Sequence, residues 1–140
     1  MTIATITTDI NIGPFKIPSN GQNMIMNNYA QRNNLLVELV IPEPMMSNAL
    51  ATVQWIHKDQ KLTKVILSSI HQLPNEKDRI EELLKNMSDV EFHFALEGIS
   101  GKGKVFIMET IKEAAIFMKA QTIESTKTTW IDLHKTMKNL

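Results

Sequence analysis

Short β-branched runs alternate with segments of helical spacing along this chain, and that alternation limits the fold more than any other feature. Ile3 to Thr8 reads as a strand, and Gln22 to Asn34 as a helix. Leu35 to Ile41 is a near-continuous apolar run ended by Pro42, the pattern of a strand covered on both faces. Met45 to Lys58 reads as a helix with Met46, Leu50, Val53 and Ile56 on one side. Lys64 to Ile70 is the third strand, and Pro74 opens a helix to about Met87 with Ile80, Leu83, Leu84 and Met87 inward. Asp89 to Leu96 is the fourth strand, and Lys104 to Met108 a fifth, short one. Glu109 to Ala120 is helical. Ser125 to Leu140 is a last amphipathic helix with Trp130, Leu133, Met137 and Leu140 on a stripe. The pattern predicts a three-layer α/β/α fold around a mainly parallel sheet of four or five strands. Residues 1–123 form one α/β domain in this reading. Residues 124–140 form a helix that packs either on its own globule or on a second copy, and a homodimer is expected.

Composition enters by exclusion. The 140 residues suit one domain. Lys plus Arg and Asp plus Glu number 15 each, which counts against a large basic surface, so nucleic acid is not an expected partner. The chain has no cysteine, which removes disulfides, thiolate metal sites and cysteine nucleophiles. Met1 to Ile6 lacks the basic start of a signal peptide, and no run reaches the 18 apolar residues of a membrane span. A cytoplasmic location is expected.

Open α/β sheets bind ligands beyond the carboxyl ends of their strands. That rule selects Thr7, Thr8, Asp9 and Lys16 after the first strand and Glu43 after the second. It selects Ser68, Ser69, His71 and Gln72 after the third, and Glu97 and Ser100 after the fourth. The set holds a base, an acid, hydroxyls and a cation, enough for acid–base work on a polar ligand. Each residue also has a purely structural reading. Ser68 and Ser69 can end a strand, His71 can satisfy a loop carbonyl and Gln72 can start a helix. Glu97 can form a salt bridge, and Lys16 can be solvated. His93, between Phe92 and Phe94, reads as a buried, hydrogen-bonded histidine. The histidines at 57, 71, 93 and 134 lack metal-ligand spacing, and neither a metal nor a cofactor is expected. Gly101-Lys102-Gly103-Lys104 reads as a hairpin-like turn before a strand, not as a phosphate loop before a helix.

Three segments together carry a resemblance. Lys16-Ile17-Pro18-Ser19-Asn20-Gly21-Gln22-Asn23, Leu67-Ser68-Ser69-Ile70-His71-Gln72-Leu73-Pro74 and Glu91-Phe92-His93-Phe94-Ala95-Leu96-Glu97 resemble the sporadic carbohydrate cluster family of small bacterial proteins. The likeness covers roughly Gly13 to Ile99. The family carries arginine where this chain has Lys16 and glutamine where it has Ser19. The resemblance implies a role in surface-carbohydrate biosynthesis, with a sugar nucleotide or sugar phosphate as ligand. Lys16 would hold an anionic group. His71 and Glu97 would be the catalytic candidates for proton transfer. Asn23, Glu43, Ser69 and Gln72 would contact the substrate. The reaction stays open among isomerase, lyase and hydrolase, and so does the choice between an enzyme and a non-catalytic binding or scaffold protein.

The strand–helix order is also similar to the catalytic domain of serine recombinases, a resolvase-like variant of flavodoxin-like architecture. That family places an arginine-x-serine nucleophile motif after its first strand. The corresponding stretch here, Thr7-Thr8-Asp9-Ile10, has neither residue, and His71-Gln72-Leu73 stands in for a later arginine-bearing loop. The resemblance therefore implies a shared fold without recombinase chemistry, and a degenerate DNA binder as the remote alternative.

Overall fold

The computed structural model describes residues 2–8, 16–43 and 50–120. The elements run β1 (Thr2–Thr8), α1 (Ser19–Arg32), β2 (Leu39–Glu43), α2 (Ala51–Asp59) and β3 (Leu62–Leu67). A 3-10 turn (Ile70–Gln72), α3 (Lys77–Met87), β4 (Glu91–Phe94) and β5 (Ile99–Gly101) follow. Residues 104–120 form a fourth helix, α4. Six of the seven residues of β1 are β-branched, which suits a pleated strand. Asp78 in the first turn of α3 and Lys85 in its last complement the helix dipole.

The sheet order is β2-β1-β3-β4-β5. Strands β2, β1, β3 and β4 are parallel, and β5 closes one edge antiparallel to β4. The chain leaves β1 in one direction to reach β2, then returns past β1 to β3 and β4. Crossovers of one hand then put α1 on one face and α2 and α3 on the other. The packing agrees. Ala4, Ile6, Val65, Leu67, Phe92 and Phe94 face α2, α3 and α4, meeting Val53, Leu83, Met87 and Ile107. Ile66 meets Met26, Tyr29 and Ala30 of α1 on the opposite face. The expected three-layer α/β/α architecture is the one observed, and the reversal of winding direction between the parallel neighbours β1 and β3 is a topological switch point.

Several expected boundaries are corrected. The second strand starts at Leu39, not Leu35, and runs through Pro42 to Glu43. It is an edge strand rather than one covered on both faces. Val40 is 54% exposed, and an edge tolerates a proline that donates no ladder bond. The first helix starts earlier, at Ser19, and ends at Arg32. The described part of α2 begins at Ala51, and the stretch from Met45 to Asn48 lies outside the described residues. The fourth strand shortens to Glu91–Phe94.

The fifth strand is the largest correction. It is Ile99–Gly101, joined to β4 by the turn 95–98, while residues 104–108 are already helical. Lys104 to Met108 is strand-like in composition, but Phe106, Ile107, Ile111 and Ala114 recur at helical spacing and pack on the core. Gly101-Lys102-Gly103-Lys104 thus leads into a helix, contrary to the expected turn before a strand. Gly101 allows the close approach: a Cβ there would lie 2.7 Å from the Phe106 ring. The last amphipathic helix, the 123/124 domain boundary and the expected dimer contact lie outside the described residues. Among the described residues no helix is long and apolar enough to cross a membrane.

Candidate functional site

The carboxyl ends of β1, β3 and β4 are joined by one buried network, and two glutamines build it. Gln22 enters from the first turns of α1 and is fully buried. Its Oε1 accepts the Thr8 N–H at 2.9 Å, and its Nε2 donates to the Thr8 carbonyl at 2.7 Å and the Ile17 carbonyl at 2.8 Å. One side-chain amide therefore pairs with the end of β1 as a neighbouring strand would. Gln72, on the 3-10 turn, accepts the Ser68 and Ser69 N–H groups on its Oε1, at 2.6 and 3.1 Å. Its Nε2 donates to Thr8 Oγ1 at 3.0 Å and to Gln22 Oε1 at 3.4 Å. The network thus spans the switch point between β1 and β3.

Glu97 completes it from the turn after β4. Its carboxylate accepts the Ser69 hydroxyl at 2.8 Å and the Ile70 N–H at 2.9 Å. Ser69 Oγ in turn accepts the His71 N–H at 3.3 Å, capping the 3-10 turn. Ser69, Gln72 and Glu97 are therefore brought together, and their bonds go to backbone groups, to one another and, from Gln72, to the Thr8 and Gln22 side chains. The His71 imidazole goes elsewhere, its ring centroid 5.3 Å from that of Phe117 on α4. Glu43 is buried at the end of β2, where its carboxylate accepts the Val53 and Thr52 N–H groups at 2.8 and 3.3 Å and so caps α2. Lys16 is exposed, and Asn23 is half-buried beside Gln22 on α1.

Gln22 is the member that reading for strand ends did not select. It lies in the helix, and its signal is a polar residue at a buried helical position, four before Met26 and seven before Tyr29. Ser68 Oγ is buried there with no hydrogen-bond partner among the described residues. Chemically the edge is neutral amide and hydroxyl with one carboxylate. The chain's arginines are Arg32, in the last turn of α1, and Arg79, whose Nε lies 3.5 Å from Glu76. Neither appears in this network. Among the described residues no cluster of His, Asp and Glu could hold a metal ion.

A second polar pair lies under α1. Tyr29 Oη and His93 Nδ1 are 2.8 Å apart and share a hydrogen bond whose donor is set by the imidazole tautomer. His93 Nε2 is 3.4 Å from Glu91 Oε1, without hydrogen-bond geometry. Burial pushes the His93 imidazole below its usual range; the Glu91 charge opposes this and the Lys64 charge adds to it. Burial, aided by the Glu91 charge, raises the Tyr29 phenol. A histidine whose folded value is depressed stabilises the fold above its unfolded value of about 6.5, and that stability is lost as pH falls. Urea unfolding at pH 7.5 and pH 4.5 is expected to show a smaller acid loss for His93→Gln than for the parent chain. Equal losses in both would remove His93 as the cause.

No protein-family model matches the sequence, and no curated protein matches it. Solved structures do. The fold is similar to the N-terminal catalytic domain of TP901-1 integrase, with a TM-score of 0.59 at 11% identity, over 87% of this chain and 97% of that one. It is also similar to a resolvase family site-specific recombinase from Streptococcus pneumoniae, with a TM-score of 0.58 at 12% identity, over 96% and 99%. The resolvase-like fold is thereby shown, and the carbohydrate cluster resemblance gains no support. Two further expectations are corrected by the same finding. Surface-carbohydrate biosynthesis on a sugar nucleotide or sugar phosphate gives way, because the matched domains are recombinase and integrase domains. The sugar ligand, and the exclusion of nucleic acid that rested on net charge, give way with it.

Proposed function

We propose that this chain is a recombinase-fold domain that meets DNA as a component of recombination without cutting it. The observation that carries the reading is the fold, which matches nearly the whole length of two recombinase domains. The edge chemistry supports its non-cutting character. The stretch from Asp9 to Pro18, after β1, contains no serine, tyrosine or cysteine to act as nucleophile. Thr8 is buried, and its hydroxyl is engaged by Gln72. The Gln22–Gln72 network offers a scissile phosphate no arginine, the Ser68 and Ser69 hydroxyls within it are buried away from the surface, and Glu97 adds negative charge beside it.

The test is binding and cleavage measured on one preparation. Duplex DNA is expected to bind at 50 mM salt and to weaken by 200 mM. For a neutral domain making a few phosphate contacts, the slope of log affinity against log salt is about −2 to −4. Supercoiled plasmid is expected to stay intact, with no covalent protein–DNA adduct. Absence of binding at low salt would remove the DNA partner, and an adduct would remove the non-cutting reading.

A further inference from the structure

Far from the carboxyl-edge network, α2 and α3 lie side by side and leave a cleft of about 470 Å³. Asn86 Nδ2 donates to Gln54 Oε1 at 2.8 Å and ties the two helices together. Lys58, Lys61 and Lys85 line the cleft, and so does Trp55. Trp55 is 71% exposed, an uncommon state for the largest apolar side chain. The opposing charges are Glu82 on the lining and Asp89 nearby. Asp89 is already engaged, with Oδ1 3.0 Å from His57 Nε2 and Oδ2 3.8 Å from Lys61 Nζ. The His57 ring is held from its other side, because Nδ1 accepts the Leu62 N–H at 3.0 Å. On the lining itself three lysines face one carboxylate, Glu82, and Lys58 and Lys85 are the two not drawn toward Asp89.

An open aromatic face ringed by lysines is the combination that single-stranded nucleic acid uses. Bases stack on the ring, and the backbone follows the cations. We propose that the α2–α3 cleft holds one unpaired nucleotide of a DNA strand, its base on Trp55 and its flanking phosphates on Lys58, Lys61 and Lys85. The proposal rests on the DNA reading above and gives it a place. Neutral net charge does not oppose it, because the sum over the chain hides where the lysines gather. The site is separate from the neutral network at the carboxyl edge, so contact with DNA and absence of cutting follow from different parts of the fold.

The experiment is fluorescence anisotropy of a labelled oligo-dT strand titrated with the full chain. Trp55→Ala is expected to weaken binding about tenfold, while Trp55→Phe keeps it within about threefold, because stacking needs a ring and not an indole. The double substitution Lys58→Ala and Lys85→Ala is expected to reduce the salt slope by about 1.4, two phosphates at about 0.7 each. All three side chains are exposed, and circular dichroism checks that each variant folds. Strand binding that all the variants retain with the parent's affinity and salt slope overturns the cleft and leaves the DNA reading standing. Duplex binding without strand binding also overturns the cleft alone. Failure to bind either form overturns both.

Discussion

Gln72→Ala is expected to lower the unfolding free energy by about 3–4 kcal/mol, in the middle of the roughly 2–6 kcal/mol that two buried N–H groups lose when left unpaired at about 1–3 kcal/mol each. The groups are those of Ser68 and Ser69, whose acceptor is the Gln72 carbonyl oxygen, and the site is sealed from water. Thr8 Oγ1 and Gln22 Oε1 lose a donor as well, and Gln22 Oε1 keeps the Thr8 N–H. At about 4 °C per kcal/mol for a chain of this length, thermal unfolding shifts down by roughly 12–16 °C. Gln72→Glu separates the two halves of the amide. It keeps the acceptor toward Ser68 and Ser69 and turns the donor toward Thr8 and Gln22 into an acceptor unless the new carboxyl is protonated. Burial raises that carboxyl above its unfolded value, so its contribution is present at acid pH and lost as pH rises through the folded value. Urea titrations at pH 4 and pH 7 on the three proteins check this. A loss below about 1 kcal/mol for Gln72→Ala would mean that water replaces the amide and that the network does not hold the edge.

Phe94→Ala carries the second large expected loss, about 3–5 kcal/mol, as for other buried aromatics cut to alanine. Phe94 is fully buried in β4. Its ring lies 6.4 Å from that of Phe92 and 6.3 Å from that of Phe106, so three rings from β4 and α4 form one cluster. Phe106 also covers Gly101, which links the cluster to β5. The loss is therefore expected to be uneven. Amide exchange should rise most in β5 and α4, the elements whose aromatic neighbour is gone, and less in β1. Phe94→Leu keeps most of the volume and is expected to cost about 1–1.5 kcal/mol. Uniform loosening of the whole sheet under Phe94→Ala would show that the rings do not anchor α4 in particular.

The residues that were legible in advance were those whose local pattern and tertiary role agree. Thr2–Thr8 is almost wholly β-branched and central, and it forms where its composition places it; the third strand keeps the expected Val65-Ile66-Leu67 centre but runs Leu62–Leu67, and Ile70 belongs to the 3-10 turn instead. Ser69, Gln72 and Glu97 were selected because the carboxyl-edge rule depends on topology, and the topology follows from alternation. The failures have physical causes. Leu35-Leu36-Val37 is as apolar as a buried strand, yet Leu36 is 76% exposed, because the segment precedes an edge strand and has no second neighbour. Ile99–Gly101 is too short for its period to register, and it exists because Phe94 accepts the turn's returning N–H from Gly98 at 2.8 Å. The clustering of Trp55 with Lys85 needs two helices thirty residues apart in sequence to lie side by side, which no local window contains. Net charge misled for a similar reason: a sum over the chain carries no positions.

The pair of hydrogen bonds between Thr8 and Gln22 also has a meaning in chain statistics. These residues are 14 apart in sequence, and joining them closes a ring in the polymer. The free energy of closing a ring grows only with the logarithm of its length, so doubling the intervening stretch costs about 0.6 kcal/mol. Because the amide fixes the last residue of β1 directly to the helix, strand register and loop length become independent variables. A lineage could lengthen, shorten or rewrite the residues after β1 while the sheet kept its alignment. A change of length in the segment where a nucleophile would have to be gained or lost thereby carries only a small entropic cost.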